Sequence, residues 1–546
     1  GPGKTKVPAE SGVRISLLQK GSEVLSIAPS GTALDAEVPP GDYDVAYAGG
    51  AGRSAVGPLE HVHVEPAKTA HTTVEVSSSA KLDLACTSES GSAMPCKITF
   101  EGLEGTKDPN FGVASAAGPA KNQVTTAAGR FDALPLSPGK YRITASRGPE
   151  YALVQKETTI AAGERGSFSA SLKRVVDTGS YLGCDFHQHS MLGADAPTST
   201  RDRVISNVAE GVDVAVASEH NMVADFMPFV HELGMEGELV EIPGDEITSD
   251  AALVPWGHMN VFPLVPNLAL PRGGALDPTK PPKDVLDAAA KIPYPHVVQV
   301  NHPRAWNIGY FDLAKFDPNT GTAAAPWYDD RFDAIEIWNG RNVESRDKVR
   351  ADYFSLLLHG HVVTATANTD THGVVGQEAG YPRTYVRVAD AQRPLAWNDQ
   401  RTQDLVKGIV ETRDTILTNG PFLEVDVNGA GIGGVATAKN GSIRIHVVVQ
   451  AAPWVSIDHV GFALASGPTR EKDITAKPNA RGAMEATADF SLAVKKDDAI
   501  VIYAKGDKPL TPVLSGTPPE IAPYAMTGAI WIDANGDGVA LGRKKK

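Results

Sequence analysis

Cysteine is nearly missing: there are three in 546 residues, Cys86, Cys96 and Cys184. Any metal centre in this chain therefore rests on nitrogen and oxygen donors rather than on thiolates. Long apolar runs are missing too, and none approaches the ~20 residues of a membrane span. Positive charge is in deficit, with 51 Lys and Arg against 65 Asp and Glu, a formal charge of −14. Such a surface repels phosphate backbones and argues against a nucleic-acid partner. No Gly-x-Ser-x-Gly elbow is present to carry a serine nucleophile. The N-terminus has no apolar signal region, and Gly1-Pro2-Gly3 resembles a protease-cleavage scar, so residues 1–9 read as tag or linker. A periplasmic or secreted protein whose export signal has been removed is expected, with a cytosolic one as the alternative.

What is present is an ordinary globular composition, 42% hydrophobic and 21% charged, which excludes collagen, disorder and a coiled coil. The length suggests several domains. Residues 10–175 alternate in short β runs separated by Gly, Pro and Ser. One phrase occurs twice, Val38-Pro39-Pro40-Gly41-Asp42-Tyr43 and Leu136-Ser137-Pro138-Gly139-Lys140-Tyr141. It resembles the Pro-Gly-x-Tyr strand start of small carboxypeptidase-regulatory or transthyretin-like sandwiches. Two such modules, 10–80 and 81–175, are expected, with one larger sandwich as the other reading. Cys86 and Cys96 flank a Ser/Gly/Pro-rich loop, where a disulfide and two separate thiols are both compatible with the sequence.

From residue 178 to 420 apolar strands alternate with helical patterns, which predicts a parallel α/β barrel or doubly wound sheet. Helices are expected at 200–210, 282–291 and 347–358. Residues 421–546 return to β patterning and read as a C-terminal sandwich. Ten of the 15 histidines fall between His187 and His372, most of them where strands end. Asp185-Phe186-His187-Gln188-His189 closes the first strand, and an extended chain puts His187 and His189 on one side. Asp195 follows in the loop. Ser218-Glu219-His220-Asn221, Pro243-Gly244-Asp245-Glu246, Gly257-His258-Met259-Asn260, Asn301-His302-Pro303-Arg304 and Asn368-Thr369-Asp370-Thr371-His372 come next. Imidazoles and carboxylates gathered at strand ends suit a hard-to-borderline metal cluster.

In this order, His-x-His, Asp, Glu-His-Asn, Glu, Gly-His, Asn-His-Pro and Asp-x-His, the chain resembles the PHP (polymerase and histidinol phosphatase) superfamily. Within it, the chain is similar to the CehA/McbA branch, which includes a carbaryl hydrolase. The resemblance covers 178–420 and implies a distorted (β/α)7 barrel flanked by β-sandwiches, with two or three divalent ions, Zn, Mn or Fe. It implies that His187, His189, Glu246 and Asp370 surround one metal and that Glu246 bridges to a second, held by His258 and His302. Asp195, His220 and His372 would hold a third. Glu219 stands where the family usually has Asp and is expected to orient a ligand imidazole.

The implied activity is hydrolysis by a metal-bridging hydroxide. A phosphomonoester or phosphodiester is the expected substrate, and an aryl ester or carbamate is the alternative. A non-catalytic surface binding protein on the same scaffold is the reading from a different class. Arg304, two residues after His302, is expected to face the reacting oxygen as a fixed positive group, and a surface salt bridge is its other reading. Trp306, Tyr310 and Trp338 could wall a pocket, and Asn339-Gly340-Arg341 could meet a phosphate. The Asp533–Gly538 segment resembles the start of a calcium loop but lacks the closing carboxylate, so a turn held by Asx side chains is expected.

Overall fold

The computed structural model describes residues 14–545, apart from 21, 28–37, 49–52, 56–59, 73–75, 79, 194 and 515–519. The expected tag at 1–9 lies outside the described residues. The chain divides into two compact units, Gly1–Ser146 with Leu153–Leu172, and Arg147–Ala152 with Lys173–Lys546. No helix among the described residues is long and apolar enough to cross a membrane.

In the first unit the Pro-Gly phrases start two of the strands. Gly41–Ala48 lies in a sheet ordered Ser22–Ile27, Arg14–Gln19, Gly41–Ala48, Glu60–Val64. Gly139–Ser146 lies between Val154–Ile160 and Cys96–Leu103 in a second sheet. In both phrases the tyrosine is buried, and its hydroxyl donates to a carbonyl four residues earlier: Tyr43 to Pro39 at 2.7 Å and Tyr141 to Ser137 at 2.8 Å. The turn is thus tied to its own strand. Cys86 and Cys96 form a disulfide that joins Ala80–Ser88 to Cys96–Leu103.

In the second unit the apolar runs become buried strands in two sheets. One begins with Val240–Pro243, Val214–Ala217 and Tyr181–Gln188, all parallel. It continues antiparallel through Arg383–Arg387, Thr415–Thr418, Tyr524–Thr527, Asp498–Lys505 and His459–Leu464. This sheet runs without interruption past residue 420. The other sheet is ordered Asp245–Thr248, His258–Phe262, Val297–Val300, Ala334–Asn339, Thr364–Asn368. Only Gly244 separates the two sheets where the chain passes between them, and a Cβ there would come within 2.6 Å of Val216. Phe186 and Phe262 stack across the sheets at 5.0 Å, within a core that also holds Leu182, Val216, Ile242 and Val297.

The helices Thr200–Ala209 and Pro282–Ala289 fall where the patterning places them, and the third, Val343–Leu358, begins four residues before the expected Asp347. The first and last are capped by Ser199 and Asn342, whose side chains accept the N–H of Asp202 and Ser345.

The expected (β/α)7 barrel is not formed: the unit is sheet-rich, and its described strands form no closed barrel. Two physical reasons stand out. His258–Phe262 and Arg383–Arg387 run antiparallel to their neighbours and break the strand-helix alternation. Between Tyr181–Gln188 and Thr364–Asn368 main-chain bonds come at the ends, where the Asp370 N–H meets the His187 carbonyl and the His189 N–H that of Thr371, and side chains bridge the strands before that point. Asn368 Oδ1 accepts the Phe186 N–H at 2.8 Å, and Asp185 Oδ1 accepts the Thr369 N–H at 3.1 Å.

Near the C-terminus, Asp533 carboxylate oxygens accept the N–H groups of Gly536 and Gly538, and Asn535 accepts that of Asp537. These are the Asx-type turns expected there.

Candidate metal centre

His187 lies near the end of the Tyr181–Gln188 strand and His189 just past it, both fully buried and two residues apart. Glu246 meets them from Asp245–Thr248, also with no exposure. Its Oε1 lies 3.1 Å from His187 Nε2, 3.2 Å from His258 Nδ1 and 3.3 Å from His302 Nε2. Its Oε2 lies 2.8 Å from His220 Nδ1 and 3.4 Å from His189 Nε2. One carboxylate therefore faces five imidazoles.

Asp370 Oδ1 sits 3.1 Å from His189 Nε2 and 3.3 Å from His187 Nε2. Asp195 Oδ2 is 2.9 Å from both His220 Nε2 and His372 Nε2 at the more exposed edge. All nine ligand positions named from the sequence fall into four overlapping groups able to hold a metal ion: His187–Glu246–His302, His187–His189–Asp370, His220–Glu246–His258 and His189–Asp195–His220–His372.

The donor atoms fit a cation better than they fit one another. His187 Nε2, both ring nitrogens of His189, Glu246 Oε2 and His302 Nδ1 are buried without a hydrogen-bond partner, an arrangement that is costly unless something else satisfies them. Burial lowers His189 to about 4, so its ring stays neutral, the form that ligates. Burial disfavours the ionised form of Glu246 and Asp370, yet the surrounding imidazoles hold both well below the usual carboxylate range. The same carboxylates in turn raise His187, His302 and, to about 9, His220, so without a cation the cluster balances its charge with protons on these rings, and a bound cation would take the place of those protons. The backbone bends to serve it: His302 and Asp370 adopt φ of 26° and 50°, the left-handed region that side chains disfavour. His302 is held there by its N–H to Glu336 Oε2 at 2.8 Å, and Asp370 by its N–H to the His187 carbonyl at 2.8 Å.

Several other sequence expectations are corrected. Arg304 does not face the cluster. Its guanidinium donates to Asp352 at 2.6 and 2.7 Å, to Asp312 at 3.1 Å and to the Phe316 carbonyl at 2.9 Å, so every donor nitrogen is committed to a structural ion pair. Arg304→Ala should then destabilise the fold by about 3 kcal/mol by stranding buried Asp352, while metal content per folded chain stays unchanged. Loss of metal at full stability would overturn this. Glu219 does not orient an imidazole; it accepts the Ser190 N–H at 2.9 Å and the Ser190 hydroxyl at 2.5 Å, fixing the turn after His189. Tyr310 and Trp338 are core residues, and Trp306 is 85% exposed. Asn339, Gly340 and Arg341 do line a cleft, of about 820 Å³, which reaches Asp370.

Two participants are not marked by the sequence. Glu336 accepts from His187 Nδ1 at 3.1 Å and from Asn368 at 3.0 Å, besides the His302 N–H, so it orients two ligands at once. Asn301 donates to Glu246 at 2.9 Å and to Asn260 at 2.7 Å. The signal for Glu336 was a carboxylate inside the apolar run Ala334-Ile335-Glu336-Ile337-Trp338.

No protein-family model matches this chain, and no curated protein matches it by sequence.

Proposed function

We propose that this chain is a metal-dependent hydrolase of the PHP type, acting on phosphoesters through two or three divalent ions held by the histidine–carboxylate cluster. The single observation that carries this reading is Glu246, a buried carboxylate facing five imidazoles, several of whose nitrogens have no hydrogen-bond partner. His187, His189, Glu246 and Asp370 would hold one ion. Glu246, His258 and His302 would hold a second, and Asp195, His220 and His372 a third. Zn, Mn and Fe all suit such donors.

When bound, the ions supply a water made acidic near neutral pH and a positive charge for the oxygen on which charge develops. The chain's own residues prepare the place. Glu336 fixes the His187 ring through Nδ1, which turns Nε2 toward Glu246 and Asp370. Asn301 holds Glu246 in register. Burial of His187, His189 and Glu246 excludes bulk water on that side, while Asp195, His220 and His372 are partly open to it. The Cys86–Cys96 disulfide supports an oxidising compartment for the protein.

The test combines elemental analysis with hydrolysis of p-nitrophenyl phosphate, bis-p-nitrophenyl phosphate and naphthyl acetate by metal-loaded protein. At least two metals per chain and turnover of a phosphate ester are expected. Turnover of naphthyl acetate alone would move the reading to a carboxyl ester hydrolase. Metal content well below two per chain would sink the hydrolase reading.

A further inference from the structure

The cleft beside Asp370 has a chemistry of its own. It reaches the cluster directly, because Thr369 and Asp370 form part of its wall and the Asn339 amide donates to Asp370 Oδ2 at 3.1 Å. Amide side chains line it: Asn339, Asn342 and Gln377. Carboxylates line it as well: Glu344, Glu378 and Glu520, besides Asp370 itself. Arg341 is the single cation among these described lining residues, and its guanidinium is paired with Glu378. With Arg341 committed to Glu378 and Glu344 paired with Lys348 at 2.7 Å, a group carrying two negative charges would meet no uncommitted guanidinium among these residues, and the Glu520 carboxylate would oppose it. Hydroxyl groups are the better match, since each can donate to a carboxylate or amide oxygen and accept from an amide N–H.

One further group points the same way. Tyr381 lines this cleft and is 3% exposed, yet its hydroxyl has no hydrogen-bond partner. A buried hydroxyl left unsatisfied is unfavourable unless a ligand completes it. Burial also keeps the phenol protonated, well above its ordinary range, so it is available as a donor.

We propose that this cleft binds the neutral, polyhydroxylated arm of a phosphodiester, with the Tyr381 hydroxyl donating a hydrogen bond to one of its oxygens. The assignment rests on the phosphoester reading above and sharpens it: a monoanionic diester with a polyol substituent is preferred over a dianionic monoester. Tyr381 is a specificity residue, and the metal cluster is untouched by its hydroxyl.

Three p-nitrophenyl esters of the same leaving group test this on the metal-loaded full chain: glyceryl p-nitrophenyl phosphate, methyl p-nitrophenyl phosphate and p-nitrophenyl phosphate. The glyceryl diester should show the highest kcat/KM and the monoester the lowest. Tyr381→Phe should narrow the glyceryl-over-methyl preference by about threefold to tenfold, through KM, the span expected for one neutral hydrogen bond, with metal content unchanged. Since the hydroxyl has no partner in the protein, its removal leaves the fold intact.

Saturation-transfer NMR with xylitol gives a second readout independent of turnover. Transfer to xylitol should be present in the wild type and weakened in Tyr381→Phe. Equal rates for the glyceryl and methyl diesters, a faster monoester, or no transfer to xylitol would each overturn the proposal while leaving the hydrolase reading in place. Absence of metal and of all turnover would instead overturn the hydrolase reading, and the xylitol experiment would still decide whether the cleft takes a polyol.

Discussion

Glu246→Gln should leave a folded chain that has lost its metal and its turnover. The carboxylate stands between His187, His189, His220, His258 and His302 at 2.8–3.4 Å, and no second carboxylate touches all five. Glutamine keeps the shape and can keep the Asn301 contact, but it brings an uncharged oxygen and an N–H₂ that cannot ligate. Loss of an outer hydrogen-bonding partner of a metal ligand costs 10–100-fold in affinity or activity, so loss of this central ligand should cost at least about 100-fold. Metal content by elemental analysis and kcat on p-nitrophenyl esters would check it, with circular dichroism to show that the strands persist. The change adds no bulk and empties no core position, so unfolding would mean that metal holds the domain together. Retained metal with retained turnover would remove Glu246 from the centre.

Glu150→Gln should produce the largest loss of stability, for a reason unrelated to the metal centre. Burial raises the pKa of Glu150, but Arg174 and Arg393 overrule it and hold it down to about 2. Its carboxylate pairs with the Arg174 guanidinium and accepts from the Tyr385 hydroxyl at 3.0 Å, with Arg393 4.0 Å away. Removing the charge leaves the Arg174 guanidinium without its carboxylate, while Arg393 keeps Asp213, and breaking such a pair costs about 3–5 kcal/mol. The pH dependence follows from the sign of the shift. A carboxylate whose folded pKa lies below its unfolded value of 4.5 contributes stability above that value. The contribution falls away as pH drops from about 4.5 toward about 2. Denaturant unfolding of wild type and variant should therefore differ most at neutral pH and converge in acid. A gap that stays constant across that range would show that packing, rather than charge, is what the variant loses.

Much of the site is legible in the sequence. The six imidazoles at strand ends, with Asp195, Glu246 and Asp370, stood out because their spacing marks where apolar runs stop. Helix positions were legible from the apolar patterning, except that the Asn342 cap starts its helix at Val343 rather than at the expected Asp347. Strand closure was not legible. The Asn368 and Asp185 side chains that bridge the two strands look like ordinary polar residues in a strand-end motif, and nothing local distinguishes a hydrogen bond to a side chain from one to a neighbouring strand. Arg304 was misplaced because closeness to His302 in the chain says nothing about direction, and Asp352, 48 residues later, takes its guanidinium. Glu336 was missed because its partners lie 149 residues earlier, at His187, and 34 earlier, at His302.

The sequence by itself determined the donor types, nitrogen and oxygen without thiolate, and the strand ends that present them. It also determined the turns that open the Gly41–Ala48 and Gly139–Ser146 strands, because a Pro-Gly pair and a tyrosine four residues from its acceptor act locally. Only the tertiary structure decided that one carboxylate meets five imidazoles, that Arg304 serves the fold, and that an unpartnered tyrosine hydroxyl waits beside Asp370. These depend on how the sheets pack, which brings together atoms such as those of Asp185 and Thr369, 184 residues apart in the chain. Local propensity acts over a few residues and carries no record of such distances.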